Sequence, residues 1–215
     1  VGIVVTIGIV TVAVGDSYQR RLPEWAQSVV SLTTQPDDVT IIVDDISSNI
    51  EEHVRDLLPR ASIVTSNTRW KHHPQILVNE AIENTPTTWI CKMDVDDLFL
   101  PHALDNVDDS PSDVVCFGIT YRGTNMLGGS PTAEQILQRQ ANLVFSGSPY
   151  RRDLWDLNRY RDMIFEDWAF WIGCARQGAT FQSSQRIDYV YTYHEEQITR
   201  HAQEAYWASV VRSLA

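Results

Sequence analysis

The run Lys92-Met93-Asp94-Val95-Asp96-Asp97-Leu98 sets three carboxylates close together directly after an apolar stretch. Charges crowded this closely repel one another. A hard divalent cation relieves them and keeps open positions for diphosphate oxygens. The same residues also read as a solvated turn before a helix whose N-terminus welcomes aspartate. A second acidic pair, Glu166-Asp167, lies between Phe165 and Trp168, ahead of Phe170, Trp171 and Ile172. Acids at a helix start complement its dipole, and a carboxylate held beside aromatic walls can also take a proton from a hydroxyl. Trp168 and Trp171 are either an apolar platform for a ligand face or plain core. His194, in Tyr193-His194-Glu195, is either a surface histidine or an imidazole able to complete a carboxylate-bound metal site. Residues 69–73 carry Arg69, Lys71, His72 and His73 before a helix start, facing phosphate, base, acceptor or solvent.

These groups need elements to hold them, and apolar periodicity supplies the expectation. Residues 1–15 read as a buried strand rich in Val, Ile and Thr. Leu22, Trp25, Ala26, Val29 and Val30 then repeat at helical spacing behind Pro23. Residues 39–43 read as a strand ending in Asp44 and Asp45, and Ser48 with Glu51 predicts a capping box opening the next helix. A strand over 62–65, a helix over 74–83 and a strand over 88–93 continue the alternation. Such an order predicts an α/β fold with a mainly parallel sheet covered by helices on both faces. Ligands of such sheets bind beyond the carboxyl ends of the strands, where Asp16, Asp45, Asp94 and Asp96 fall. The second half is less regular. It reads as a strand over 113–120, a Gly- and Ser-rich loop over 123–131 and a capped helix over 132–139. A helix over 167–177 stopped by Gly178, a strand over 187–193 and an amphipathic tail helix with Trp207, Val210, Val211 and Leu214 follow.

With 215 residues, 43% of them hydrophobic, the chain can bury one good core. A net charge of −11 argues against a nucleic-acid backbone as partner, but an anionic small ligand is compatible with it if a cation lies between. Cys91, Cys116 and Cys174 are odd in number and sit in apolar stretches, the pattern of buried thiols in a reducing compartment. The apolar opening run has no basic region before it and is too short to span a bilayer. The expectation is a cytoplasmic protein with no integral membrane segment.

Taken in order, these segments resemble glycosyltransferase family two, an inverting family of GT-A (Rossmann-like) fold. Ser17-Tyr18-Gln19-Arg20 is similar to the family's T-Y-N-R segment, with Gln in place of Asn, and Ser31-Leu32-Thr33-Thr34-Gln35 to its S-x-x-x-Q. Ile42-Val43-Asp44-Asp45-Ile46-Ser47 resembles the strand with an acidic pair, Asn79-Glu80-Ala81-Ile82 the N-x-A-I helix, and Asp94-Val95-Asp96-Asp97 the metal motif. Glu166-Asp167-Trp168 resembles the E-D-W segment and Tyr191-Thr192-Tyr193-His194 the later Y-x-H. The resemblance implies a metal-dependent inverting glycosyltransferase moving a sugar from a nucleoside-diphosphate donor, a UDP-sugar, to an acceptor hydroxyl on a glycan, protein or small molecule. It implies Asp167 as general base beside Glu166. Asp16, Ser17, Asp45, His73, Asn79 and Asp94 are implied at the nucleotide, and Asp96 with His194 on Mn²⁺ or Mg²⁺. One domain is expected over 1–215, with a nucleotide-binding half at 1–100, an acceptor and catalytic half at 101–195 and a tail helix at 196–215. A sugar nucleotidyltransferase would resemble a G-x-G-T-R-L signature after the first strand, which Val14-Gly15-Asp16-Ser17 lacks. A carbohydrate-binding module without turnover would be marked by a lost acid, and both acidic motifs are present.

Overall fold

The computed structural model describes residues 4–66, 74–138, 141–163 and 165–194. His73 with its basic loop, Glu195 and the expected tail helix therefore lie outside the described residues. The elements in chain order are β1 (Ile7–Ala13), α1 (Asp16–Gln19), α2 (Leu22–Val30), β2 (Asp38–Val43), α3 (Ser48–Leu57), β3 (Ser62–Thr65), α4 (Pro74–Glu83) and β4 (Trp89–Lys92). After them come β5 (Leu98–Phe99), β6 (Val114–Tyr121), β7 (Thr124–Met126), α5 (Ala133–Leu137), β8 (Tyr150–Arg151), α6 (Arg152–Leu157), α7 (Glu166–Arg176) and β9 (Phe181–Tyr191). They build one sheet in the order β3-β2-β1-β4-β8-β6-β9-β5, with β7 paired to β6.

The sheet is parallel through β3, β2, β1 and β4, where each strand returns through a helix. Beyond β4 it is mixed, because β8 runs antiparallel to both β4 and β6 while β6 and β9 are parallel. Side-chain alternation in the strands feeds two cores, one on each face. On β4, Trp89 and Cys91 join the core under α2 and α3, and Ile90 joins the core under α4 and α7. Ile9 and Val10 divide the same way on β1. Trp25 and Trp89 on one side and Trp155 and Trp171 on the other are fully buried, and truncating any of them to Ala costs about 3–5 kcal/mol.

Two local expectations are corrected. The capping box at Ser48 and Glu51 does not form: Ser47 is the N-cap of α3 and makes no side-chain cap bond, and Glu51 instead pairs with Arg55 one turn on at 2.7 Å. The box does form at α5, where Thr132 accepts from the backbone of Gln135 and the Gln135 side chain accepts from Thr132. Trp168 and Trp171 belong to the core, at 6% and 1% exposure, which removes them as a sugar platform. No helix among the described residues is long and apolar enough to cross a membrane.

Candidate active site

The acidic motifs converge because the strands that carry them end on the same edge. β1 and β2 are parallel and stop together at Ala13 and Val43. Beyond β1 the chain turns at Gly15, whose φ of 84° is the left-handed region that a residue with a Cβ resists. The Gly15 N–H and the Gln19 side-chain amide both donate to Asp44, at 3.0 and 2.8 Å, tying the two strand tips together. Gln19 thus reaches Asp44 with its longer side chain where the family motif has Asn. Asp44 is spent on this link, while Asp16 and Asp45 are exposed and Ser17 is half-buried beside them in sequence.

At the tip of β4 the chain makes a tight turn, with the Asp97 N–H donating to the Asp94 carbonyl at 3.1 Å, and enters β5. β5 pairs antiparallel with the end of β9, Leu98 opposite Val190 and Phe99 opposite Tyr189. That pairing carries residues 192–194 back across the acidic turn. The Thr192 N–H donates to Asp97 at 2.9 Å, and Nε2 of His194 contacts Asp96 Oδ2 at 2.7 Å. The Tyr18 ring stands edge-on to the His194 ring, centroids 6.2 Å apart, so the tip of β1 borders the same place. Asp97 is 1% exposed. Burial, then the charges of Asp96 and Asp94, push its carboxyl well above the ordinary range. Burial and then Asp94 raise Asp96, opposed by the His194 hydrogen bond.

On the other side of Asp94, Lys92 Nζ lies 2.6 Å from its carboxylate and 3.1 Å from Glu166 at the start of α7. Ser146 donates to the second oxygen of Asp94 at 3.1 Å. α7 opens on Phe165, a non-glycine residue held at φ 62° and ψ 38° with no side-chain cap. Packing of its ring against the core under α7 holds this strained turn, which aims Glu166 and Asp167 back toward β4. Asp167 accepts from the Asn142 amide at 2.9 Å. Burial and then the Glu166 charge push its carboxyl up to about 7, against the opposing pull of Lys92. A carboxylate poised near neutrality is suited to take a hydroxyl proton.

The described residues contain no cluster of three or more His, Cys, Asp and Glu side chains that could hold a metal ion. Asp96 and His194 offer two ligands in contact, and His194 Nδ1 is buried with no partner among the described residues. Mg²⁺-type sites commonly use one or two protein ligands and complete themselves with substrate phosphates and water. The donor set therefore fits such an ion.

Asn79, expected at the nucleotide, is hydrogen-bonded within the fold. Its side-chain oxygen accepts from Trp155 Nε1 at 2.8 Å and from the Tyr160 N–H at 3.0 Å, and its amide donates to the Tyr160 carbonyl at 2.9 Å. These contacts tie α4 to the segment after α6. Lys92, Asn142 and Ser146 are site residues that motif reading passed over. For Lys92 a signal existed, since a lysine in an otherwise apolar strand needs a buried partner.

Among known proteins, the family model described as Glycosyl transferase family 2 matches residues 9–168. No curated protein matches the chain. The S. aureus TarS 1–349 structure in complex with UDP-GlcNAc superposes with a TM-score of 0.75 at 15% identity, covering 97% of this chain and 66% of that one. The mannosyltransferase PcManGT from Pyrobaculum calidifontis, in complex with GDP-Man and Mn²⁺, superposes with a TM-score of 0.68 at 12% identity, covering 98% and 64%. The chain spans 60% of the length of a further TarS 1–349 structure. At these identities the likeness is one of fold, the GT-A arrangement of a mixed sheet between two helical layers.

Proposed function

The chain belongs to glycosyl transferase family 2, and from that premise we propose that it transfers a sugar from a UDP-sugar to an acceptor hydroxyl by one inverting displacement. The observation that carries the proposal is the meeting, at one sheet edge, of the contacting pair Asp96 and His194 with an Asp167 carboxyl raised to about 7. One side suits an anionic leaving group with its cation, the other a hydroxyl that must lose a proton.

In this reading Asp45 and Asp16, exposed beyond β2 and β1, face the nucleoside, with Ser17 beside them. Asp94 faces the ribose, steadied by Lys92 and Ser146. His73, outside the described residues, is the basic residue expected near base or phosphate. Asp96 and His194 hold Mn²⁺ or Mg²⁺, which supplies neutralising charge to the diphosphate when bound. Asp167, turned by its bond from Asn142, takes the proton as the acceptor oxygen forms its bond to the anomeric carbon. The bond from that carbon to the diphosphate breaks on the opposite face, so the configuration inverts. The TarS complex with UDP-GlcNAc supports a uridine donor; the PcManGT complex with GDP-Man keeps guanosine as the competing one.

Calorimetric titration of UDP with and without Mn²⁺, on the native chain and on Asp96→Ala, tests the donor site. The expected result is metal-dependent binding that weakens at least about tenfold in the variant, a difference of about 1.4 kcal/mol. Binding of GDP in place of UDP would move the donor to guanosine. Failure of both nucleotides in the presence of metal would overturn the transferase reading, and binding without any sugar transfer would favour a module that has kept the fold and lost turnover.

A further inference from the structure

The family motifs assign Lys92 no role, and beyond steadying Asp94 it reaches a second part of the site. It sits on β4, paired in register with Val10 of β1, and is 4% exposed. Strand alternation puts its side chain on the face of Ile90, toward the core under α7. An ammonium in such a place is tolerated only when paired. Its partners belong to two different parts of the site: Asp94 at the tip of its own strand, 2.6 Å away, and Glu166 at the start of α7, 3.1 Å away. Lys92 and Glu166 are 74 positions apart in the chain, so their contact is made by the fold and not by local sequence.

We propose that Lys92 is a positioning residue that joins the donor-side carboxylate Asp94 to the base-side carboxylate Glu166 and favours the ionised form of Asp167. This rests on the reading of Asp167 as the base. Among the described residues, the groups that face the pair come from several elements. Lys92 faces Asp94, Asp97, Glu166 and Asp167, together with the Tyr150 hydroxyl on β8. Asp167 faces Glu166, Lys92 and Asp94, the Asn142 amide, and the Tyr160 hydroxyl. Burial, Glu166 and Asp94 favour the neutral acid at Asp167, and Lys92 is the cation working against them. Burial also works against the charge on Lys92, but Asp94 and Glu166 outweigh it and hold the ammonium well above its usual range, so it stays charged across the working pH. Tying Glu166 to Lys92 also confines the glutamate beside the aspartate, so only one of the two adjacent acids is left to meet an acceptor.

The test is NMR titration of the full chain labelled with ¹³C at the aspartate carboxyls, free of metal and nucleotide, with Asp167→Asn identifying the resonance. Lys92→Met is expected to move the Asp167 midpoint upward, Glu166→Gln to move it downward, and Lys92→Arg to keep it near the native position. An unchanged midpoint in Lys92→Met overturns the proposal. If that variant does not fold, the comparison is Glu166→Gln against Glu166→Gln/Lys92→Met, where position 166 no longer leaves an unpaired charge; the same upward movement is expected, and its absence overturns the proposal. In the transfer assay Lys92→Met should lower kcat about tenfold at neutral pH, with the loss shrinking as pH rises and donor KM changing less. An equal loss at every pH would assign Lys92 a merely structural role. The titration needs no turnover, so a chain without transferase activity would sink the proposed function and still leave the Lys92 coupling decided by the carboxyl shift.

Discussion

Asp167 is held in a state its surroundings resist. Its carboxyl rises from 3.8 to about 7 through burial and the neighbouring Glu166 charge. Between those values the folded protein binds more protons than the unfolded chain, so stability falls as pH rises through that window and is highest below it. The full difference would cost about 4 kcal/mol at neutral pH as an upper bound. Asp167→Asn is therefore expected to abolish transfer while raising Tm, by about 2–4 °C for each kcal/mol recovered. A calorimetric scan of the two proteins at neutral and acidic pH checks this: the gain should vanish at low pH, and a lower Tm for the variant at neutral pH would refute it. Motif reading singled out the acids because crowded like charges are improbable without a purpose, and the fold brings His194, singled out with them, to Asp96. It did not find Asn142 or Ser146, because a single amide or hydroxyl in a loop carries no signal until the loop folds against β4 and α7. For Asn79 the motif does not reveal the bonds that the fold gives it to Trp155 and Tyr160.

At the scale of elements, apolar periodicity located β1 through β4 with α2, α3 and α4 between them, since each shows its pattern and is bounded by turns; the four-residue α1 was too short to show one. The second half was legible only in part. β5 and β8 are two residues each, too short for any pattern, yet β5 brings His194 to Asp96 and β8 bridges β4 to β6. The first half of β9 was hidden by the polar stretch Gln182-Ser183-Ser184-Gln185-Arg186. There the strand bulges against β6, and the register shifts on both sides of Gly118. Buried Asp188 organises the bulge, accepting from the Gly118 N–H at 2.8 Å and from Arg186 at 2.9 Å. A Cβ at Gly118 would run into the Arg186 backbone carbonyl, which has no flexible end to yield. Gly118→Ala is expected to destabilise the fold by about 2–4 kcal/mol. It should also weaken metal-dependent nucleotide binding, because β9 leads to His194. Denaturant unfolding and the UDP titration measure the two effects, and a variant of native stability would dismiss the close approach at this glycine.

For the whole molecule, the net charge of −11 and the acids gathered at one edge of the sheet make the folded state a poor host for a diphosphate on its own. Mn²⁺ and UDP together are expected to raise Tm cooperatively, since each lowers the electrostatic cost of the other, while UDP alone raises it little. Thermal unfolding with each ligand and with both measures the coupling, and equal shifts for UDP with and without metal would contradict it. The overall α/β class was readable because alternating strands and helices have few ways to pack. The mixed character of the sheet beyond β4 was not, because strand direction there depends on pairings between distant segments. One further property follows from where the thiols sit. Cys91 on β4, Cys116 on β6 and Cys174 on α7 are all buried, and burial raises each, Cys116 to about 12, so reactive thiolate is scarce. Oxidants and alkylating agents reach them only through molecules whose sheet has already opened. The folded chain is thereby shielded from the redox poise of its surroundings, and chemical damage falls first on the fraction that has already lost its fold.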